Sequence, residues 1–338
     1  MTKKSVLLAN LGSPDQPDTQ SVRHYLNQFL MDPYVIQLPW ILRRLIVSLF
    51  VLPRRPKESA KAYQSVWLNE GSPLVVLSEQ LKHALQAQLD MPVAMAMRYG
   101  KPSIESQILA LTEQSDLEEI IFIPLYPHYA QSTITTSVEQ AKAVIKKHKL
   151  EIKLNVVAPF YQQSDYISAL VNSAKPYLEK PFDHLIFSYH GLPESHITKL
   201  DKSGNHCLQQ DNCCQVENAC QNHCYRHHIF QTTTLFVEKA GLSPEQYSVA
   251  FQSRLGRAKW LGPNTEDRLR ELAQSGAKNI LVICPAFVTD CLETLEEIAI
   301  RGQEVFSEAG GENLTLIPCL NDQPEWVDVL TSWCKSES

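Results

Sequence analysis

The sequence predicts an α/β protein of two Rossmann-like halves, each a parallel sheet of about four strands flanked by helices. Three observations carry that reading. Short apolar runs stop repeatedly at Gly or Pro, as Val6-Leu7-Leu8-Ala9-Asn10-Leu11 does before Gly12-Ser13-Pro14, which is how buried parallel strands read when they open into loops. Amphipathic helical patterns fall between the runs, as parallel crossovers require. The signals of one half also return in the other: Glu119-Ile120-Ile121-Phe122-Ile123-Pro124 is echoed by Asn279-Ile280-Leu281-Val282-Ile283-Cys284-Pro285.

In chain order, the strand at 6–11 is followed by an unusual stretch, 38–52, running from Leu38-Pro39-Trp40 to Leu52 with Arg43 and Arg44 inside it and Arg54, Arg55 and Lys57 just beyond. Its apolar surface is too broad for a one-sided helix, and two readings stay open: a core segment, or an exposed apolar lip that touches a bilayer or admits an apolar ligand. The basic flank favours the lip, because arginine is drawn to anionic headgroups. Helices are expected over 78–89, with Leu81, Ala84, Leu85 and Leu89 on one stripe, and over 137–148, with Val138, Ala141 and Ile145. A strand at 154–160 closes the first half, so the expected division is 1–162, then 163–302 opening with a helix at 166–178, then 303–338 as an extension packing back on the body.

Composition narrows the function classes. The 338 residues are 44% hydrophobic and 20% charged, ordinary for a globular chain. A net charge of −6 supplies no basic field for nucleic acid. Met1-Thr2-Lys3-Lys4 leads straight into strand-like residues and no span of about 20 apolar residues follows, so the expected location is the cytoplasm. Thiols stay reduced there, and nine cysteines then point to metal or redox chemistry rather than disulfides.

Three constellations carry chemistry. Ser188-Tyr189-His190-Gly191-Leu192-Pro193 follows the apolar run Leu185-Ile186-Phe187, which puts His190 at the carboxyl end of a strand, where open α/β sheets bind ligands and an imidazole can exchange protons at neutral pH. Phe287 to Ile298 follows the strand at 280–283; a helix starting near Asp290 would stack Glu293 and Glu297 at i, i+4, able to bind a cation and pass protons, although Asp290-x-x-Glu293 also reads as a capping box. Cys207, Cys213, Cys214, Cys220 and Cys224 lie within 18 residues, interleaved with His206, His223, His227 and His228. Converging thiolates suit a soft metal, and zinc or an iron–sulfur cluster both fit, though the spacing matches neither zinc-ribbon nor ferredoxin patterns. Softer candidates are Arg98 and Tyr99, Tyr126 within Pro124-Leu125-Tyr126-Pro127, the hydroxyl-rich run from Ser132, and Arg254 and Arg257 in a loop suited to anionic groups.

Taken in order, Leu8-Ala9-Asn10-Leu11-Gly12-Ser13-Pro14, Pro124-Leu125-Tyr126-Pro127, Ser188-Tyr189-His190-Gly191-Leu192-Pro193, Phe251-Gln252-Ser253-Arg254 and Asp290-x-x-Glu293-Thr294-Leu295 resemble the ferrochelatases, which insert ferrous iron into a porphyrin. The resemblance spans nearly the whole chain. It implies a lyase of haem biosynthesis with the porphyrin between two Rossmann-like halves, His190 taking pyrrole protons and contacting the metal, Glu293 facing it across the macrocycle, and Glu297 continuing an acidic path along an irregular helix. It further implies a porphyrin site drawing on Leu11, Arg98, Tyr99, Tyr126, Ser132 and Phe287, the lip at the entrance, peripheral contact with the inner membrane, and contact with the preceding enzyme of the pathway.

Two departures matter. Leu11 stands where some members carry tyrosine or methionine, and Gln131 where members with a cluster anchored in the C-terminal tail carry cysteine. The 207–224 loop, within an expected insertion at 204–228, instead resembles a bacterial group thought to hold a 2Fe-2S cluster internally, with four of the five cysteines as ligands. Its loss is expected to lower activity and stability without touching proton chemistry. The expected product is protohaem from protoporphyrin IX. Coproporphyrin III as substrate, and a non-enzymatic iron–sulfur or zinc carrier or redox sensor, are the alternatives.

Overall fold

The structure is a computed structural model describing residues 3–114, 116–254, 256 and 258–336. It contains two parallel four-stranded sheets. In the first, β1 (Lys4–Gly12), β2 (Val93–Tyr99), β3 (Glu119–Pro124) and β4 (Lys153–Val156) lie in the order β2-β1-β3-β4. In the second, β5 (His184–His190), β6 (Tyr247–Gln252), β7 (Asn279–Ile283) and β8 (Asn313–Leu316) lie in the order β6-β5-β7-β8. The two orders are the same, which is the structural origin of the echo in the sequence. The central strands β1 and β5 each carry an unbroken apolar run because helices cover both faces of each parallel sheet: Val6, Leu7 and Leu8 in one, Leu185, Ile186 and Phe187 in the other, are wholly buried.

The chain divides into two compact units. One comprises 1–126, 131–158 and 321–338; the other, 127–130 and 159–320. The helix Pro324–Ser336 belongs to the first unit because its apolar face, Trp326, Val327, Leu330 and Cys334, is buried there, and Gln88 bonds both Asp328 (2.9 Å) and Thr331 (2.8 Å). Residues 303–320, expected to belong to an extension, supply the helix Gln303–Glu308 and the edge strand β8. Helices expected from periodicity form at Pro73–Gln86, Thr136–Lys147 and Ser164–Leu178. The strand expected at 154–160 stops at Val156, three residues before Pro159, which has no N–H for a ladder.

Segment 38–52 exposes most of its apolar side chains. The helix Trp40–Ile46 continues as the π-helical turn Val47–Val51. Trp40, Ile41, Leu49 and Phe50 are each more than 60% exposed, while only Val47 and Leu52 turn in, against Leu30. Arg43 is not part of a basic flank, since its guanidinium is buried and donates to the carbonyls of Ile36 (3.2 Å) and Leu38 (3.0 Å). No described helix is long and apolar enough to cross a membrane.

Candidate active site

His190 is the last residue of β5, paired in register with Gln252, the last of β6. Its Nδ1 lies 2.6 Å from the carbonyl oxygen of Gly191. A carbonyl only accepts, so Nδ1 carries the proton and Nε2 is left bare to take one. Phe287 lies edge-on to the imidazole, ring centroids 6.3 Å apart.

The turn after β7 carries the carboxylates. Its helix is capped by Cys291 rather than Asp290: the Thr294 hydroxyl accepts from the Cys291 N–H at 3.0 Å. Asp290 is buried and accepts from the Thr294 hydroxyl (2.8 Å) and the Cys319 N–H (3.2 Å). After one short helical turn, Leu292–Thr294, the chain widens into a π-helix, Leu295–Gly302. The regular i, i+4 ladder expected from the sequence is therefore replaced by i, i+5 bonding, a geometry frequent at functional sites. Glu297 still senses both partners. Burial, then the charge of Glu293, raises its proton affinity above an ordinary carboxylic acid, while the Ser253 hydroxyl, 2.5 Å from Oε2, Arg301 at 3.3 Å and His190 pull it back. Ser253 reaches it from a left-handed backbone conformation, φ +62.

One residue that sequence reasoning passed over ties these pieces together. Gln252 is buried; its Nε2 donates to the Glu293 carbonyl (2.6 Å), its Oε1 accepts from the Ser188 hydroxyl (2.7 Å) and, more loosely, from the Cys284 thiol (3.6 Å), and its carbonyl accepts the Gly191 N–H (2.7 Å). The available signal was a polar residue closing an apolar strand inside Phe251-Gln252-Ser253-Arg254. Arg257, from the same loop motif, lies outside the described residues, as does Leu255.

In the first unit, the strand ends are held closely. A Cβ on Gly12, at φ +116, would sit 1.7 Å from the Tyr99 carbonyl oxygen. Leu11 stands half-buried at the end of β1. Arg98 and Tyr99 end β2 in a network around buried Asp32, whose Oδ2 accepts from Arg98 (2.6 Å), the Tyr99 hydroxyl (2.9 Å) and the Thr136 hydroxyl (2.6 Å). The charge of Arg98 is thus already matched within its own unit. Tyr126 is buried, which pushes its ionisation up, and Ser132 lies in a π-helical turn, Gln131–Thr135.

The cysteine-rich loop lies in the second unit and is organised by Asp201, whose carboxylate accepts from the N–H groups of His206 (2.9 Å) and Cys207 (2.8 Å) and from Ser203 (2.6 Å); these bonds hold it well below the usual carboxylate range. Cys207 and Cys220 sulfurs are 3.2 Å apart, Cys224 is near enough to Cys207 and Cys214 to affect the ionisation of both, and Arg226 donates to Cys214 (3.2 Å) and Cys213 (3.5 Å). All five sulfurs therefore share one patch. Burial and neighbouring thiols push the ionisation of Cys207 up to about 12. Among the described residues no group of three or more His, Cys, Asp or Glu side chains is placed to hold a metal ion.

A family model described as Ferrochelatase matches residues 3–338. The ferrochelatase of Ectopseudomonas mendocina (strain ymp) is 56% identical over 337 residues, 99% of this chain and 98% of that protein. That of Pseudomonas fluorescens (strain Pf0-1) is 55% identical with the same coverage. Among solved structures, SirB from Bacillus subtilis with Fe3+ matches at a TM-score of 0.56 and 13% identity, covering 99% of this chain and 95% of that one, a likeness of fold.

Proposed function

The chain belongs to the ferrochelatase family, lyases that insert iron into a porphyrin in haem biosynthesis, and from that premise we propose that His190 is the base and Glu293 and Glu297 the proton-carrying carboxylates. The observation that carries this is the fixed tautomer of His190, with a bare Nε2 at the strand end and Gln252 joining that strand to the turn bearing Glu293. Metallation exchanges two pyrrole N–H protons for one dication. Nε2 takes a proton, and the resulting imidazolium is stabilised by the neighbouring carboxylates. Glu297, whose proton affinity burial and Glu293 have raised, is suited to accept protons and release them along the π-helix. Glu293 and His190 meet the incoming ferrous ion as hard and borderline ligands. Within the second unit Phe287, edge-on to His190, supplies apolar contact for the macrocycle; the first unit's candidates for contact with it are Leu11, Arg98, Tyr99, Tyr126 and Ser132.

Protoporphyrin IX, giving protohaem, is the preferred substrate over coproporphyrin III. The one cation among these residues, Arg98, is already matched by Asp32, which supports seating fewer propionates. A 2Fe-2S cluster would be held by Cys207, Cys220, Cys224 and either Cys213 or Cys214, the donor set being right in type and gathered on one patch. Such a cluster supplies one-electron chemistry and a cross-link through its sulfurs. The exposed lip makes peripheral contact with a membrane, from which a poorly soluble porphyrin would enter.

The test compares the wild type with His190→Ala and Glu293→Gln, measuring porphyrin binding by fluorescence quenching and metallation by haem absorbance. Both variants are expected to bind porphyrin and to lose metallation by at least about 100-fold. Turnover of His190→Ala near the wild-type rate would overturn the assignment of the base.

A further inference from the structure

The first turn of the helix Tyr225–Ala240 begins immediately after Cys224, and its four leading side chains face two different structures. Arg226 donates to the sulfurs of Cys213 and Cys214. His227 Nδ1 lies 2.8 Å from the Cys214 carbonyl and His228 Nε2 2.9 Å from that of Gln221, so both rings donate to the cysteine-rich loop. Tyr225 points the other way. Its hydroxyl, on a ring only 6% exposed, donates at 2.9 Å to the carbonyl oxygen of His190.

That carbonyl belongs to the same peptide unit as the Gly191 N–H, which donates to Gln252. The His190–Gly191 peptide is therefore pinned at both ends, by Tyr225 on its oxygen and by Gln252 on its nitrogen. Its orientation decides where the next carbonyl, that of Gly191, stands, and this is the group that accepts from His190 Nδ1 and fixes the tautomer. A second tie runs in the opposite direction, from the hydroxyl of Tyr189 on β5 to Ile229 O (3.1 Å) and Thr233 Oγ1 (2.8 Å) on the helix. His128 fills the space between the two tyrosines, edge-on to each, with centroids at 5.5 and 5.9 Å.

We propose that Tyr225 is a positioning residue for His190, and that the first turn of its helix transmits the state of the cysteine-rich loop to the catalytic strand. Opening of the thiol patch displaces Arg226 and His227, loosens Tyr225 and frees the His190 peptide to rotate. The loop then acts on the proton chemistry itself, contrary to what its place after the strand suggests. This inference rests on the reading of His190 as the base.

Tyr225→Phe removes one hydroxyl and leaves the ring. It is expected to lower kcat between about 5-fold and 50-fold with KM for porphyrin within about twofold, because Tyr225 sets geometry and touches no substrate. In the full-length protein labelled with 15N-histidine, the wild type should show His190 as a single Nδ1–H tautomer, and Tyr225→Phe a mixture. Arg226→Gln, whose lost hydrogen bonds go to the thiol side alone, should produce the same mixture to a smaller degree, alongside faster reaction of the loop thiols with a disulfide reagent. Wild-type kcat and tautomer in Tyr225→Phe would overturn the proposal, as would a rise in KM with the tautomer intact. Exposed thiols in Arg226→Gln with unchanged His190 signals would overturn the transmission. His190→Ala in the same assays separates the two readings: if it stays active the base assignment fails, whereas if it is inactive and Tyr225→Phe is normal only the positioning role fails.

Discussion

Replacing Gln252 by leucine tests whether one buried amide sets the distance between base and carboxylate. Leucine matches the shape but strands the Glu293 carbonyl, which receives the amide at 2.6 Å. The Ser188 hydroxyl keeps a partner in Thr265 at 2.8 Å, so the cost falls on essentially one part-buried carbonyl, at most about 1–3 kcal/mol. For a unit of this size that lowers the melting temperature by roughly 3–10 °C. The functional cost should be larger than the stability cost suggests, because the freed turn carries Glu293; a displacement near 1 Å would lower kcat about 100-fold. Thermal melting and the rate of haem formation under anaerobic conditions measure the two effects, and Ser188→Ala, which leaves the amide on Glu293, should lose less than about threefold in kcat. A Gln252→Leu enzyme that melts early yet turns over within twofold of wild type would refute the reasoning, since it would show that Glu293 holds its place without this link.

Three further outcomes follow from the same structure. Glu297 has a proton affinity raised in the fold, mainly by burial, so the native state keeps a proton that the unfolded chain has released once pH passes 4.5; stability should fall as pH rises through that window, and Glu297→Gln should flatten this slope in urea midpoints measured as a function of pH. An unchanged slope would place the raised affinity elsewhere. Gly12→Ala forces a side chain into the Tyr99 carbonyl at a positive φ, and it should yield insoluble protein or a melting temperature lower by more than about 10 °C; a normal melt would contradict the close approach of β1 and β2. Trp40→Ser with Phe50→Ser should cut co-sedimentation with anionic vesicles by at least about tenfold while leaving metallation of detergent-dispersed porphyrin within twofold, because the two side chains are 63% and 73% exposed. Equal sedimentation of variant and wild type would remove the membrane role of the lip.

Much of the fold is legible because parallel strands buried on both faces read as unbroken apolar runs. Ile120-Ile121-Phe122-Ile123 and Ile280-Leu281-Val282-Ile283 announce β3 and β7 directly, and His190 is located by the run before it. Other features depend on partners distant in sequence. Asp32, which matches the charge of Arg98, stands 66 residues before it, and nothing local marks the pair. Gln252 acquires its meaning only when β6 pairs with β5 and the 290s turn arrives beside it. The π-helix at Leu295–Gly302 is invisible to a reading based on a 3.6-residue period, which stacks Glu293 and Glu297 on a regular helix; only the family resemblance implies an irregular one. The inward turn of Arg43 is hidden likewise, since a basic residue in an apolar run reads as part of an exposed flank until its carbonyl partners are known. The terminal helix illustrates the same limit: its apolar stripe predicts burial, while the partner that buries it, the helix Pro73–Gln86 of the first unit, lies far back in the chain.

The central claim is that His190 takes the protons which iron replaces. Stopped-flow mixing of the anaerobic enzyme, preloaded with protoporphyrin, against ferrous iron in a lightly buffered indicator dye follows haem formation and proton release together. The wild type should release two protons for each haem formed. In His190→Ala, porphyrin binding should persist while the haem and proton signals disappear together. Haem formation by His190→Ala at the wild-type rate, with the same two protons released, would contradict the account.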